Sequence, residues 1–194
     1  MTDHANIYIT RGQSYLEAAD VLIASDRSSL SLYDPLSGLL LFSIEISLKA
    51  VIKFATGTDS VGHHIEQYLV DAVEHGLLVS EEIAAGVFMV AKPYWLHAPR
   101  YAPHHKEGIS MPPISLMREL ASKTIERCIA TIEGETERPD FPALTVDEAK
   151  ALRERANQAY EKRIAEFDPS RVYRPDEAPP IPLGTRFTSP LRKL

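Results

Sequence analysis

One long apolar segment, from Leu39 to Phe54, constrains the fold of this chain more than any other feature. Its sequence is LLLFSIEISLKAVIKF, and apolar side chains occur on nearly every side of a helix built from it. Such a helix is soluble only when neighbouring helices cover it, because any uncovered face would expose apolar surface to water. The segment therefore predicts the central helix of an all-α fold, an up-and-down bundle of four to five helices.

The same segment is about long enough to cross a bilayer, but it contains Glu45, Lys49 and Lys53. Each charged side chain near a bilayer centre costs about 2.5–3.5 kcal/mol, so we expect no membrane span. The N-terminus also lacks the basic and apolar regions of a signal peptide. Cys128 stands alone, which excludes an intramolecular disulfide and favours a cytoplasmic protein. Its place in an apolar helix predicts core packing.

Apolar residues recurring every three or four positions predict six helices. A serine-rich break precedes Asp34, which as an N-cap followed by Pro35 would begin the second helix. Gly76 is the expected C′ residue of the third helix, and Thr145 with Glu148 forms a capping box for the sixth. The predicted ranges are about 6–25, 34–57, 65–75, 80–93, 113–133 and 145–167.

The 14 prolines are clustered, with five from Pro93 to Pro113 and six from Pro169 to Pro190. The first cluster predicts a long loop, because proline removes backbone donors and restricts the residue before it. We divide the chain into a helical bundle (1–134), a linker with an additional helix (135–168) and an extended proline-rich C-terminal arm (169–194). The additional helix would pack across the bundle or onto a second subunit. The arm would be disordered or would wrap around a partner.

The net charge of −6 argues against a general nucleic-acid coat protein, which needs a concentrated basic surface. We find no DNA-specific motif, serine nucleophile elbow or glycine-rich phosphate loop. Adjacent histidines occur at His63–His64 and His104–His105, but no metal-binding spacing accompanies them. We therefore predict neither a metal nor a cofactor, and interpret the first pair as helix capping and the second as solvent-exposed.

Three short elements resemble the HEPN superfamily of helical-bundle domains. They are EISLKA from Glu45 to Ala50, the turn with Gly62 and His63–His64, and the pair Arg100–Tyr101 followed by Pro103. The resemblance covers roughly residues 5–133. It implies a module that binds a nucleotide, RNA or a cognate protein, and is either not catalytic or weakly so. It also implies a homodimer and, as the protein partner, a minimal nucleotidyltransferase of the toxin-antitoxin type.

The residues that would bind the ligand follow the fourth helix. Aromatic rings beside a guanidinium can stack on a base while the cation contacts phosphate. The alternative is an aromatic plug that closes one end of the bundle. The candidate ligand-binding residues are Trp95, His97, Arg100, Tyr101 and His104.

A second hypothesis from the same resemblance is a metal-independent ribonuclease. Ribonucleases of the superfamily place an arginine four to six residues before a histidine, a spacing that Arg100 and His105 reproduce. The histidine would move protons and the guanidinium would stabilise phosphate charge. Tyr101 and Pro103 depart from the ribonuclease pattern. A third hypothesis is a structural dimerisation protein in which this loop only packs.

Glu45 and Lys49 also have two interpretations. They could form a buried functional pair that lines a nucleotide pocket, since buried charges need partners. We favour the alternative, an intrahelical ion pair at the edge of the bundle that contributes only a few tenths of a kcal/mol.

Overall fold

The computed structural model describes residues 2–25, 29–96, 112–134 and 140–166. All regular structure in these ranges is α-helical, and they contain no strand, as predicted. The six helices are α1 (Thr2–Ala24), α2 (Ser29–Thr56), α3 (Ile65–Glu74), α4 (Glu81–Leu96), α5 (Ile114–Glu133) and α6 (Val146–Ala165).

The apolar helix α2 is covered by its neighbours. It contacts α1, α3, α4 and α5. Leu40, Ile44 and Leu48 of this helix are fully buried, and Phe42 and Phe54 are half-buried. Each such side chain removed from water contributes about 1.5–3 kcal/mol, so this helix is a main source of stability. The prediction that sister helices cover the segment is confirmed.

This covering also bears on the membrane question. Among the described residues, the part of α2 from Tyr33 to Thr56 is long and apolar enough to span a bilayer, but 72% of its most apolar window is buried inside the protein. The core helix of a soluble bundle passes the same length and composition test. The structure therefore accounts for the apolar character of α2 without a membrane.

The predicted start of α2 was wrong. The helix begins at Ser29, so Pro35 lies inside it and Asp34 is not its N-cap. An interior proline removes one helical hydrogen bond. The added turns make tertiary contacts, since the Tyr33 hydroxyl donates to the Pro112 carbonyl at 2.6 Å. Local sequence could not show that contact, which joins residues 79 positions apart.

Other helix ends differ from the predicted ones by a few residues. The first helix begins at Thr2 instead of about Asn6, and α4 continues past Pro93 to Leu96. The end of α3 is as predicted: Gly76 has φ +98°, and the Leu77 amide donates to the Ala72 carbonyl at 2.9 Å. This is the Schellman arrangement that glycine favours at C′.

The last helix, α6, packs on α3 and α4. It buries Ala149, Leu152 and Tyr160, and the segment before it is held by a hydrogen bond from the Leu144 amide to the Val79 carbonyl at 3.0 Å. Of the two placements expected for this helix, the structure shows packing across the chain's own bundle. The predicted arm, residues 169–194, lies outside the described residues.

Candidate functional site

Most of the predicted site residues lie outside the described residues. His97, Arg100, Tyr101, His104 and His105 all fall between residues 97 and 111. Trp95 lies in the last turn of α4, where the structure describes the backbone. The roles assigned to these residues therefore remain predictions.

The chain segment between α4 and α5 is called the connector. The structure fixes the point where it returns to the bundle. The Pro112 carbonyl accepts the hydrogen bond from Tyr33, and Pro113 then begins α5 as its N-cap. Burial, with a smaller contribution from the charge of Asp34, raises the pKa of Tyr33 to about 12, so its hydroxyl keeps its proton near neutral pH. The connector therefore returns beside the N-terminal part of α2.

A cluster of polar groups occupies the opposite part of α2. Lys49 Nζ lies 2.8 Å from Glu45 Oε1, so the predicted i, i+4 ion pair is present. Its predicted position at the bundle edge was wrong, because Glu45 is 1% exposed and Lys49 is 7% exposed. The turn that follows α2 covers the pair.

This turn is bonded to the pair. Lys49 Nζ donates to the Gly62 carbonyl at 2.6 Å and lies 4.8 Å from the centre of the Tyr68 ring. Tyr68 in turn donates through its hydroxyl to the Val61 carbonyl at 2.8 Å. Gly62 has φ +98°, a left-handed conformation that glycine adopts without strain. A buried ammonium is thus satisfied by a carboxylate, a carbonyl and an aromatic face.

His63 is the exposed member of this cluster. Its Nδ1 lies 3.1 and 3.2 Å from the two oxygens of Glu45, while its side chain is 50% exposed. A carboxylate oxygen accepts hydrogen bonds, so the contact assigns the donor N–H to Nδ1 and leaves Nε2 on the other edge of the ring. The predicted capping role of His63 was therefore wrong. His64 holds the N-cap position of α3, without a side-chain capping hydrogen bond, and its ring lies 6.4 Å from Tyr68.

Aromatic rings continue from His63 across to α1. The centres of the Phe42 and His63 rings are 6.2 Å apart, and the two ring planes meet at 71°. The centres of the Tyr15 and Phe42 rings are 5.8 Å apart. Tyr15 is 37% exposed. Sequence analysis missed this row, because its three residues belong to α1, α2 and the following turn.

Asp59 ties the same turn to α1. Its carboxylate accepts a hydrogen bond from the Tyr8 hydroxyl at 3.0 Å and lies 3.1 Å from Lys53 Nζ. The hydrogen bond from Lys53 and then that from Tyr8 lower the pKa of Asp59. The turn is therefore held from both sides, by α2 through Lys49 and by α1 through Tyr8.

The described residues contain no group of three or more His, Cys, Asp or Glu side chains that could hold a metal ion. Cys128 is fully buried, as predicted, and burial raises the pKa of its thiol. It is therefore a packing residue and not a reactive thiolate.

Comparisons of the chain with protein-family models, curated proteins and solved structures found no match.

Proposed function

We propose that this chain is a HEPN-like module that binds a nucleotide, RNA or a cognate protein through the connector from Trp95 to His105. It would be non-catalytic or weakly catalytic. The proposal includes the finer architecture expected from the sequence: an up-and-down bundle with an additional C-terminal helix and a proline-rich arm.

One observation supports this proposal above the others. Two of the three elements that carry the resemblance contact each other: Glu45 and Lys49 of EISLKA bond to His63 and Gly62 of the following turn, 18 and 13 positions further along the chain. Buried charged networks need every member satisfied, so the two elements form one structural unit. The third element, Arg100–Tyr101 with Pro103, lies outside the described residues.

The expected ligand contacts follow from the side chains of the connector. Arg100 would hold a phosphate through its guanidinium, while Trp95 and Tyr101 would stack on bases. His97 and His104 would add hydrogen bonds that depend on their protonation. As partners we propose a second copy of the chain and a minimal nucleotidyltransferase, in the cytoplasm.

Ligand-induced thermal stabilisation tests the proposal. We expect adenine nucleotides or a short single-stranded RNA to raise the melting temperature of the wild type, since a ligand that binds the native state stabilises it. Arg100→Ala should abolish this increase. Arg155→Ala is the matched control, because Arg155 is an exposed arginine on α6 whose pair with Glu81 spans 3.3 Å. It should leave the ligand response unchanged.

The same preparations decide between the alternatives. Cleavage of RNA in EDTA, lost in both Arg100→Ala and His105→Ala at unchanged melting temperature, would replace the proposal by a metal-independent ribonuclease. No ligand response and no cleavage, with a dimeric mass in light scattering, would replace it by a structural dimerisation protein.

A further inference from the structure

The aromatic row formed by Tyr15, Phe42 and His63 ends in a histidine whose Nδ1 faces a buried carboxylate. Glu45 accepts from His63 Nδ1 and is itself buried, with both of its oxygens in contact with the imidazole. Lys49 Nζ lies 2.8 Å from the same carboxylate, and burying such a pair is far less costly than burying an unpaired carboxylate. With Nδ1–H directed at Glu45, the uncharged tautomer of the ring has a hydrogen-bond acceptor, Nε2, on its opposite edge.

The charges in this region indicate what kind of ligand group it suits. Glu45 and Lys49 cancel each other, and the Lys49 ammonium is already bonded to Glu45 and to the Gly62 carbonyl. Lys53 is likewise paired, with Asp59 at 3.1 Å. The charged side chains of α2 and of the turn beside His63 are thus already paired, so a neutral group can lie against His63 without a counter-charge from them.

The geometry points to the planar ring of a nucleobase, and we propose that Tyr15, Phe42 and His63 form a base-binding site. The aromatic faces would stack on the base, and His63 Nε2 would accept a hydrogen bond from a ring or exocyclic N–H. The inference rests on the proposed function, because it gives the nucleotide or RNA of that proposal a site for its base. Its three residues are different from those of the connector, whose Arg100 would hold a phosphate.

Nucleosides test this site apart from the phosphate site, because they lack the group that Arg100 would hold. The probes are adenosine and uridine, titrated into the full-length protein labelled with ¹⁵N. Two-dimensional NMR of the histidine side chains should first show His63 protonated at Nδ1. At least one of the two nucleosides should then shift the His63 Nε2 resonance.

Three variants and a control complete the test. His63→Ala, Phe42→Leu and Tyr15→Leu should each weaken nucleoside binding about fivefold or more, the loss expected from one stacking or hydrogen-bonding partner. The two leucine variants keep apolar packing, so they remain informative if His63→Ala unfolds. His75→Ala changes the C-cap residue of α3 and should leave nucleoside binding unchanged.

The outcomes separate the two proposals. Nucleoside binding that survives Arg100→Ala but is lost in the three variants supports the base site. A His63 protonated at Nε2, or nucleoside binding unaffected by the three variants, overturns it while the response to nucleotides lost on Arg100→Ala still stands. Nucleotide stabilisation in the absence of any nucleoside-induced shift also overturns the base site alone.

Discussion

Gly12 shows how much a single residue can decide in this protein. It lies in α1 where that helix meets α2, and a Cβ at this position would collide with Ser47 Oγ and lie 3.2 Å from the Ser43 carbonyl oxygen. The two helices can pack at this distance because position 12 has no side chain. Glycine in a helix interior costs roughly 0.5–1 kcal/mol relative to alanine, so its presence here reflects packing.

We expect Gly12→Ala to destabilise the protein by about 1–3 kcal/mol, because the methyl group overpacks the contact between α1 and α2. Gly38→Ala is the matched control. Gly38 is also inside a helix, but its Cβ would meet nothing within 4 Å, so this variant should gain about 0.5–1 kcal/mol from helix propensity. The measurement is the free energy of unfolding in urea.

A third variant identifies the cause of the loss. Ser47→Ala removes the Oγ atom that the new methyl group meets, so the double variant Gly12→Ala/Ser47→Ala should recover part of the stability lost in Gly12→Ala. If Gly12→Ala and Gly38→Ala changed the free energy of unfolding by the same amount and in the same direction, the packing argument would be contradicted.

At the scale of elements, the start of α6 was predicted from sequence in atomic detail. The Thr145 amide donates to Glu148 Oε2 at 2.8 Å, and the Glu148 amide donates to Thr145 Oγ1 at 3.3 Å. A capping box requires only two residues three positions apart. Such local motifs can be predicted because every interacting atom belongs to neighbouring residues.

This capping box predicts a pH dependence. The hydrogen bond from the Thr145 backbone, followed by that from its side chain, lowers the pKa of Glu148 from its ordinary value of 4.5. The folded protein therefore holds the ionised form more strongly, and this stabilisation is present above pH 4.5 and is lost as the pH falls through the lowered pKa. Between about pH 5 and pH 3, wild type should lose more stability than Glu148→Gln.

Glu154→Gln is the control for this prediction, because Glu154 lies on the exposed face of the same helix. It should follow the wild-type pH profile when unfolding is measured in urea. A Glu148→Gln profile parallel to wild type would show that the cap does not contribute to acid sensitivity.

The contact between α2 and the turn that follows it is a second feature at the scale of elements. The sequence predicted the ion pair of Glu45 and Lys49 but not its burial or its bonds to the turn. Lys49→Met would leave Glu45 buried with His63 as its remaining partner, and we expect a loss of about 3–5 kcal/mol. The double variant Glu45→Met/Lys49→Met should lose less, because no uncompensated buried charge remains. Both values come from urea unfolding at neutral pH.

An exposed ion pair of the same spacing provides the comparison. Lys123 Nζ lies 2.7 Å from Oε1 of Glu119, its i, i+4 partner on α5, and the Lys123 side chain is 39% exposed. Lys123→Met should change stability by about 0.5 kcal/mol or less. A similar loss in Lys49→Met and Lys123→Met would contradict the conclusion that burial makes the first pair important.

At the scale of the whole molecule, Arg127 joins elements that are distant in sequence. Its Nε donates to the Leu78 carbonyl at 3.0 Å, and its guanidinium carbon lies 5.5 Å from the centre of the Phe141 ring. The Leu144 amide bonds to Val79 beside it. Arg127 therefore holds the segments before α4 and α6 against α5.

We expect Arg127→Gln to cost about 1.5–3 kcal/mol, the range for a hydrogen bond from a charged group, and to speed hydrogen exchange of the α6 amides. Arg118→Gln is the control, since Arg118 forms a two-bond contact with Asp20 at 2.6 and 2.8 Å on the surface. It should cost about 1 kcal/mol or less and leave exchange in α6 unchanged. Unchanged exchange in Arg127→Gln would show that α6 is held by its apolar face alone.

The sequence by itself determined the all-α class, the burial of the Leu39–Phe54 segment, the packing role of Cys128, the end of α3 and the start of α6, because helical periodicity and capping depend on residues a few positions apart. Only the tertiary structure decided where α2 begins, that Glu45 and Lys49 are buried, and that His63 bonds to Glu45. Each of these depends on which distant segments come into contact, such as Tyr33 with Pro112 or the turn at Gly62 with α2. Burial and charge pairing are properties of that contact, so no local pattern along the chain can specify them.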